Sequence, residues 1–172
     1  MKGTALAPSK HLSSLTLLLG ATLALSSCGT QQAGTAAIVD GSAISDKDVQ
    51  TVAVELAPLA QGQPPISPGV VLSNMILQPY VLAEAGKNAP DDTQVRKAIA
   101  KVAKPSPLTM DVVRTNLAIQ TLTPESKASI LTKLAKAKIT VNPRYGAFDI
   151  KQVAVLPISP DWIKAGPASV AK

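Results

Sequence analysis

The sequence has one cysteine, one histidine and very few aromatic side chains: two tyrosines, one phenylalanine and one tryptophan among 172 residues. Each scarcity excludes something. With aromatics at 2%, the core must be built from Ala, Val, Leu and Ile, and the stacking surfaces used to hold bases or sugars are nearly missing, which argues against nucleic-acid binding. The single histidine is His11, inside an N-terminal segment expected to be removed. A chain without it lacks the usual general base, the usual zinc ligand set and Ser/His or Cys/His nucleophilic pairs. Gly-rich phosphate loops and acidic calcium loops are absent as well. An apolar fraction of 46% is nevertheless enough for one packed domain.

The first 27 residues read as an export signal. Lys2 and Lys10 form a positive start, and Leu12 to Leu25 is a 14-residue apolar run ending in Ser26 and Ser27. That is shorter than the ~20 residues of a membrane-spanning helix. The next residue is Cys28, and "LSSC" resembles the lipobox of bacterial lipoproteins, in which the thiol is diacylated and the cysteine becomes residue one. A lone cysteine in an exported protein has no disulfide partner, and acylation accounts for both its position and its solitude; the alternative is an unmodified thiol past an ordinary cleavage site. Lipid attachment at Cys28 would place the protein on the outer face of the bacterial cytoplasmic membrane, held stably by two or three chains. Without Lys2 and Lys10, seventeen basic residues become fifteen against eleven acidic ones, a balance of +4. Residues 28–36 then act as a tether, the stretch Gly29 to Thr35 spanning roughly 15 Å as a random coil.

The folded unit is expected over residues 37–142 as a mainly α domain of about five helices. Ala37 to Val39 is a short strand, Asp40-Gly41 a turn, and "SDKD" from Ser45 starts a first helix whose Val49, Val52 and Leu56 recur at helical spacing. After the loop "AQGQPPISP", Ser67 caps and Pro68 opens a second helix to about Gly86. This helix is apolar almost all round, the mark of a buried centre. Pro79 inside it removes one backbone bond, which either opens a groove near Met75 or gives a curvature the packing absorbs. A third helix begins at Asp91 or Asp92, a fourth at a Thr109 cap, and a fifth at "TPE", Thr123 to Glu125. Its lysines, Lys127, Lys133, Lys136 and Lys138, read as a solvated face. "ITV", Ile139 to Val141, is β-branched and is the natural partner of Ala37 to Val39, so two strands form a small β clasp around the helices. Residues 143–172 read as an extended C-terminal tail that packs through Tyr145, Phe148 and Trp162.

Two carboxylate pairs are the acid/base candidates by composition. Asp46 with Asp48, and Asp91 with Asp92, sit where helix caps and the helix dipole want acids. Ser126 and Lys127 are adjacent on a helix and point to different faces. No catalytic, metal-binding or cofactor-binding residue is assigned.

Two motifs carry a likeness. "AAIVDGSAISDKDV" resembles the opening of the SurA and PrsA N-terminal domain, and "ITVNPRYGAFD", Ile139 to Asp149, resembles the closing signature of that domain in a group of actinobacterial lipoproteins. The resemblance implies a membrane-anchored, chaperone-like module that assists folding by binding non-native polypeptides through apolar surface. It implies no prolyl isomerase activity, since nothing after Asp149 resembles the parvulin domain that carries it. Met75 and Tyr80 are the candidate peptide contacts on this reading, and each taken singly is equally a core residue. The alternative function is a structural or assembly lipoprotein that binds one specific cell-envelope partner. Partners on either reading are membrane lipid through Cys28 and envelope polypeptides, with no nucleic acid and no small-molecule cofactor.

Overall fold

A computed structural model describes residues 34–158. The export signal, Cys28, most of the tether and Trp162 lie outside the described residues.

The chain opens with β1 (Thr35–Val39) and β2 (Ser42–Ser45), joined by a two-residue turn. Asp40 and Gly41 both have positive φ, 48° and 87°, the twist that matches a hairpin to the right-handed twist of its strands. Ser45 then caps α1 (Asp46–Leu56), its hydroxyl accepting the Asp48 amide at 3.0 Å. A 3₁₀ turn at Ala57–Leu59 ends that helix around Pro58. The long α2 (Pro68–Ala85) follows, then α3 (Asp92–Ala98), α4 (Pro107–Thr121) and α5 (Pro124–Leu134). β3 (Ile139–Val141) returns to the sheet, and β4 (Ala147–Asp149) and β5 (Ala154–Leu156) form a second hairpin.

Three helices start on one local device. Ser67-Pro68, Ser106-Pro107 and Thr123-Pro124 each pair a hydroxyl that accepts the amide three residues on with a proline whose missing N–H costs nothing at the first helical position. The cap of α4 is therefore Ser106, not Thr109. Thr109 sits one turn inside, fully buried, with its amide donated to Ser106 Oγ. Asp91 caps α3 with a complete capping box, Gln94 returning the bond. Asp92 is not a cap but an ion-pair partner of Arg114.

The two expected strands do pair: Ala37 faces Val141, Ile38 faces Thr140 and Val39 faces Ile139, antiparallel. The clasp has a third member, because β2 joins on the other side and the order is β2-β1-β3. β1 is thus the central strand, and its Ala36, Ala37 and Val39 are buried. α2 is the centre of the helical layer, as its all-round apolar sequence predicts. Val71, Leu72 and Ile76 join α1, α3 and α4 in the larger core, while Leu77, Val81 and Ala85 meet Ala118, Ile130 and Leu134 in a smaller one. Helical hydrogen bonding continues through Pro79, which is exposed and does not end the helix.

Beyond Pro143 the described chain turns at 143–145 and 150–153 around the short strands β4 and β5, folds back on itself and docks. Ser73 Oγ of α2 donates to the Gly69 carbonyl at 2.8 Å and accepts the buried Val155 amide at 2.8 Å, tying β5 to the helix. Tyr145 and Phe148 pack on the core as the sequence suggests.

Four polar positions of the closing motif each make a specific contact. Asn142 donates through its side chain to the Thr35 carbonyl at 3.0 Å and accepts the Arg144 amide at 3.1 Å, while its own carbonyl accepts the Tyr145 amide across Pro143. The Tyr145 hydroxyl donates to Asp46, with Arg144 3.8 Å from the other oxygen of the same carboxylate. Asp149 accepts the Lys151 and Gln152 amides at 2.7 and 2.9 Å and closes the turn between β4 and β5. Asp46 is accordingly an anchor for the closing motif, and Ser45 is the cap.

Candidate functional site

A groove of about 460 Å³ that combines apolar walls with polar edges lies between the first hairpin and α2, within the ~300–1,000 Å³ range of ligand clefts. One wall is Val39, Ser42, Ala43 and Ile44; the other is the helical stripe Met75, Pro79 and Ala83, spaced four apart so that they share one face of α2, with Tyr80 beside it. Asp40 and Asp48 lie at the rim, and Lys133 of α5 at one end.

The structure brings Met75 and Tyr80 into this one groove but gives them different parts. Met75 is 7% exposed and belongs to the core as well as to the groove floor. Tyr80 is half-buried, and its hydroxyl donates to Asp40 Oδ2 at 2.6 Å. Burial, reinforced by the Asp40 carboxylate, pushes the Tyr80 phenol up to about 12, so it stays protonated and acts as a donor. The Asp40 carboxyl is held below its usual value, first by the Tyr80 bond and then by the Lys138 amide, which reaches its Oδ1 at 2.8 Å. Asp40 also donates its own amide to the Lys138 carbonyl at 3.0 Å. The turn, α2 and the start of β3 are thereby fixed at one point, and the groove wall is held in place before any ligand arrives.

Sequence reasoning missed the strand edge. β2 is the outer strand of its sheet. Val39 and Ser42 flank the two-residue turn and exchange its hydrogen bonds, so by the alternation of an antiparallel ladder the N–H and C=O of Ala43 point away from β1. Beside an apolar floor, that edge is a template for one more extended segment. The signal was present: Asp-Gly between two short runs with apolar residues is a strong hairpin cue, but "SAIS" is short, small and directly followed by a helix cap.

Among the described residues there is no group of three His, Cys, Asp or Glu placed to hold a metal ion. No described helix is long and apolar enough to cross a membrane. The groove holds a protonated phenol and a carboxylate hydrogen-bonded to each other. Comparison with protein-family models, with curated proteins and with solved structures found no match to this chain.

Proposed function

We propose that this domain is the polypeptide-binding head of an extracytoplasmic lipoprotein, anchored through acylated Cys28 and non-catalytic, which holds short extended segments of non-native chains in the groove between β2 and α2. The observation that carries this reading is the pairing, in one groove, of an unsatisfied strand edge at Ala43 with an apolar floor around Met75 and Pro79. A peptide laid along β2 satisfies its backbone there and places alternate side chains on the floor. The likeness of the opening and closing motifs to the SurA and PrsA N-terminal domain supports the same reading, and β1 and β3, which those motifs supply, are hydrogen-bonded neighbours.

The test is suppression of client aggregation, followed by light scattering. The soluble domain at several-fold excess is expected to suppress scattering. Ala83→Arg, which fills the groove from an exposed helix position, is expected to abolish the effect without lowering Tm. Absence of suppression by the unaltered protein at that excess sinks the proposal. A single stoichiometric envelope partner captured by cross-linking in cells, with no suppression in vitro, would favour the structural lipoprotein reading instead.

A further inference from the structure

A second cleft lies on the other side of α2, where Leu77 and Val81 face Ile119 of α4, Leu122 just past its end, and Ile130 and Leu131 of α5, at about 400 Å³. It differs chemically from the first. Leu77, Val81, Ile119, Ile130 and Leu131 line it from helices whose backbone groups are bonded internally, so these walls offer no partners to the N–H and C=O groups of an extended peptide, and burying those groups unpaired is costly. Of the lining residues named, only Leu131, 42% exposed, is a large apolar side chain left largely in water. That is far less surface than the ~1,000 Å² of a specific protein interface. A slender ligand without hydrogen-bonding groups along its buried part remains.

Two observations at the rim narrow its head group and access. Lys127 lines the mouth, is exposed and makes no ion pair among the described residues. Val153, also lining the cleft, holds φ at +53°, a conformation strongly disfavoured for a β-branched residue and one that tends to accompany ligand sites.

The geometry points to a fatty-acyl site: a long-chain carboxylate with its hydrocarbon between α2, α4 and α5 and its carboxylate at Lys127. This site is separate from the peptide groove and stands or falls independently of it. The test is titration of the full, unacylated chain with palmitate and with hexadecanol, which carries the same chain without the charge. Saturable one-to-one binding of palmitate is expected. Lys127→Glu should weaken palmitate at least about five-fold and leave hexadecanol unchanged, whereas Leu131→Asp should weaken both roughly ten-fold. Both substitutions are at exposed positions, and unchanged thermal unfolding confirms that the fold survives. Unsaturable palmitate uptake, equal affinity in Leu131→Asp, equal losses of both ligands in Lys127→Glu, or displacement of palmitate by an equimolar amphipathic helical peptide would each overturn the assignment.

Discussion

Gly146→Ala is expected to cost more than about 3 kcal/mol and to lower Tm by about 10 °C or more. Gly146 is buried where the closing motif turns into β4, with φ at +121°. A Cβ built there would lie 1.9 Å from the carbonyl oxygen of Leu156 and 2.6 Å from its carbonyl carbon. Both obstacles are backbone, so no side chain can swing aside; β5 must leave β4, and with it goes the bond from Val155 to Ser73 that ties the hairpin to α2. Strain at an alanine forced to this φ adds to the clash. Gly69→Ala is the matched control. It has no positive φ, it sits in the first turn of α2, and its nearest neighbours to a new Cβ are at 3.9 Å. It is expected to be neutral or to stabilise by up to about 1 kcal/mol. Urea unfolding of the two variants measures the difference, and equal effects would mean that β4 and β5 do not pack as described.

Glu55→Ala is expected to destabilise by about 3 kcal/mol at pH 7, with a loss that fades in acid. One oxygen of Glu55, on the last turn of α1, accepts the Ser106 amide at 2.8 Å, the Ser106 hydroxyl at 2.9 Å and the Thr109 hydroxyl at 2.5 Å. The carboxylate thus stands at the positive end of α4 and holds it against α1. Removing it takes the carboxylate away from the hydroxyl of Thr109, which is 0% exposed and keeps only the Ser106 hydroxyl at 3.2 Å, and hydrogen bonds to a charged acceptor are worth ~1.5–3 kcal/mol. Burial alone would raise the Glu55 pKa, but the Thr109 and Ser106 bonds outweigh it and hold the group below its usual 4.5. A depressed folded-state pKa means that this stabilisation is complete above 4.5 and disappears as pH falls through the lower folded value. Asp40, Glu84 and Glu125 are depressed too, so the quantity to follow is the difference between wild type and Glu55→Gln. That difference should shrink from pH 7 to pH 3, and a constant difference would contradict the assignment.

Much of the fold was legible because its cues are local. The hydroxyl-proline pairs at Ser67 and Thr123, the apolar spacing of α1 and the all-round apolar α2 each depend on residues within a turn or two of one another. The pairing of β1 with β3 was legible from β-branched composition alone, although the strands are about a hundred residues apart. Ser106-Pro107 carried the same cue as its two counterparts, but the preceding "KP" made it resemble a loop. The features that escaped depend on distant partners. Gly146 reads as one more loop glycine until Leu156 lies over it, and Glu55 reads as a solvated helix charge until α4 arrives with Ser106 and Thr109. The groove was half legible: an all-apolar helix with an internal proline marked the region of Met75 and Tyr80, whereas the wall opposite is a hairpin of small residues whose open edge exists only once the sheet is assembled.

The two faces of α2 divide by chemistry. Toward β2 the helix meets backbone that can still pair, and toward α4 and α5 it meets side chains only. On the two proposals the first takes an extended polypeptide and the second a hydrocarbon chain, so one helix would serve two ligand classes.

Site-specific photocross-linking puts the peptide groove to the most direct test. A benzophenone side chain at Ala83, on the exposed rim of the groove, and another at Thr132, an exposed position of α5 outside the groove lining, are irradiated with a labelled non-native polypeptide. The groove predicts an adduct from position 83, reduced by Ala43→Pro, which removes the outward N–H of β2, and little adduct from position 132. Equal labelling from the two positions, or none from position 83, would contradict it.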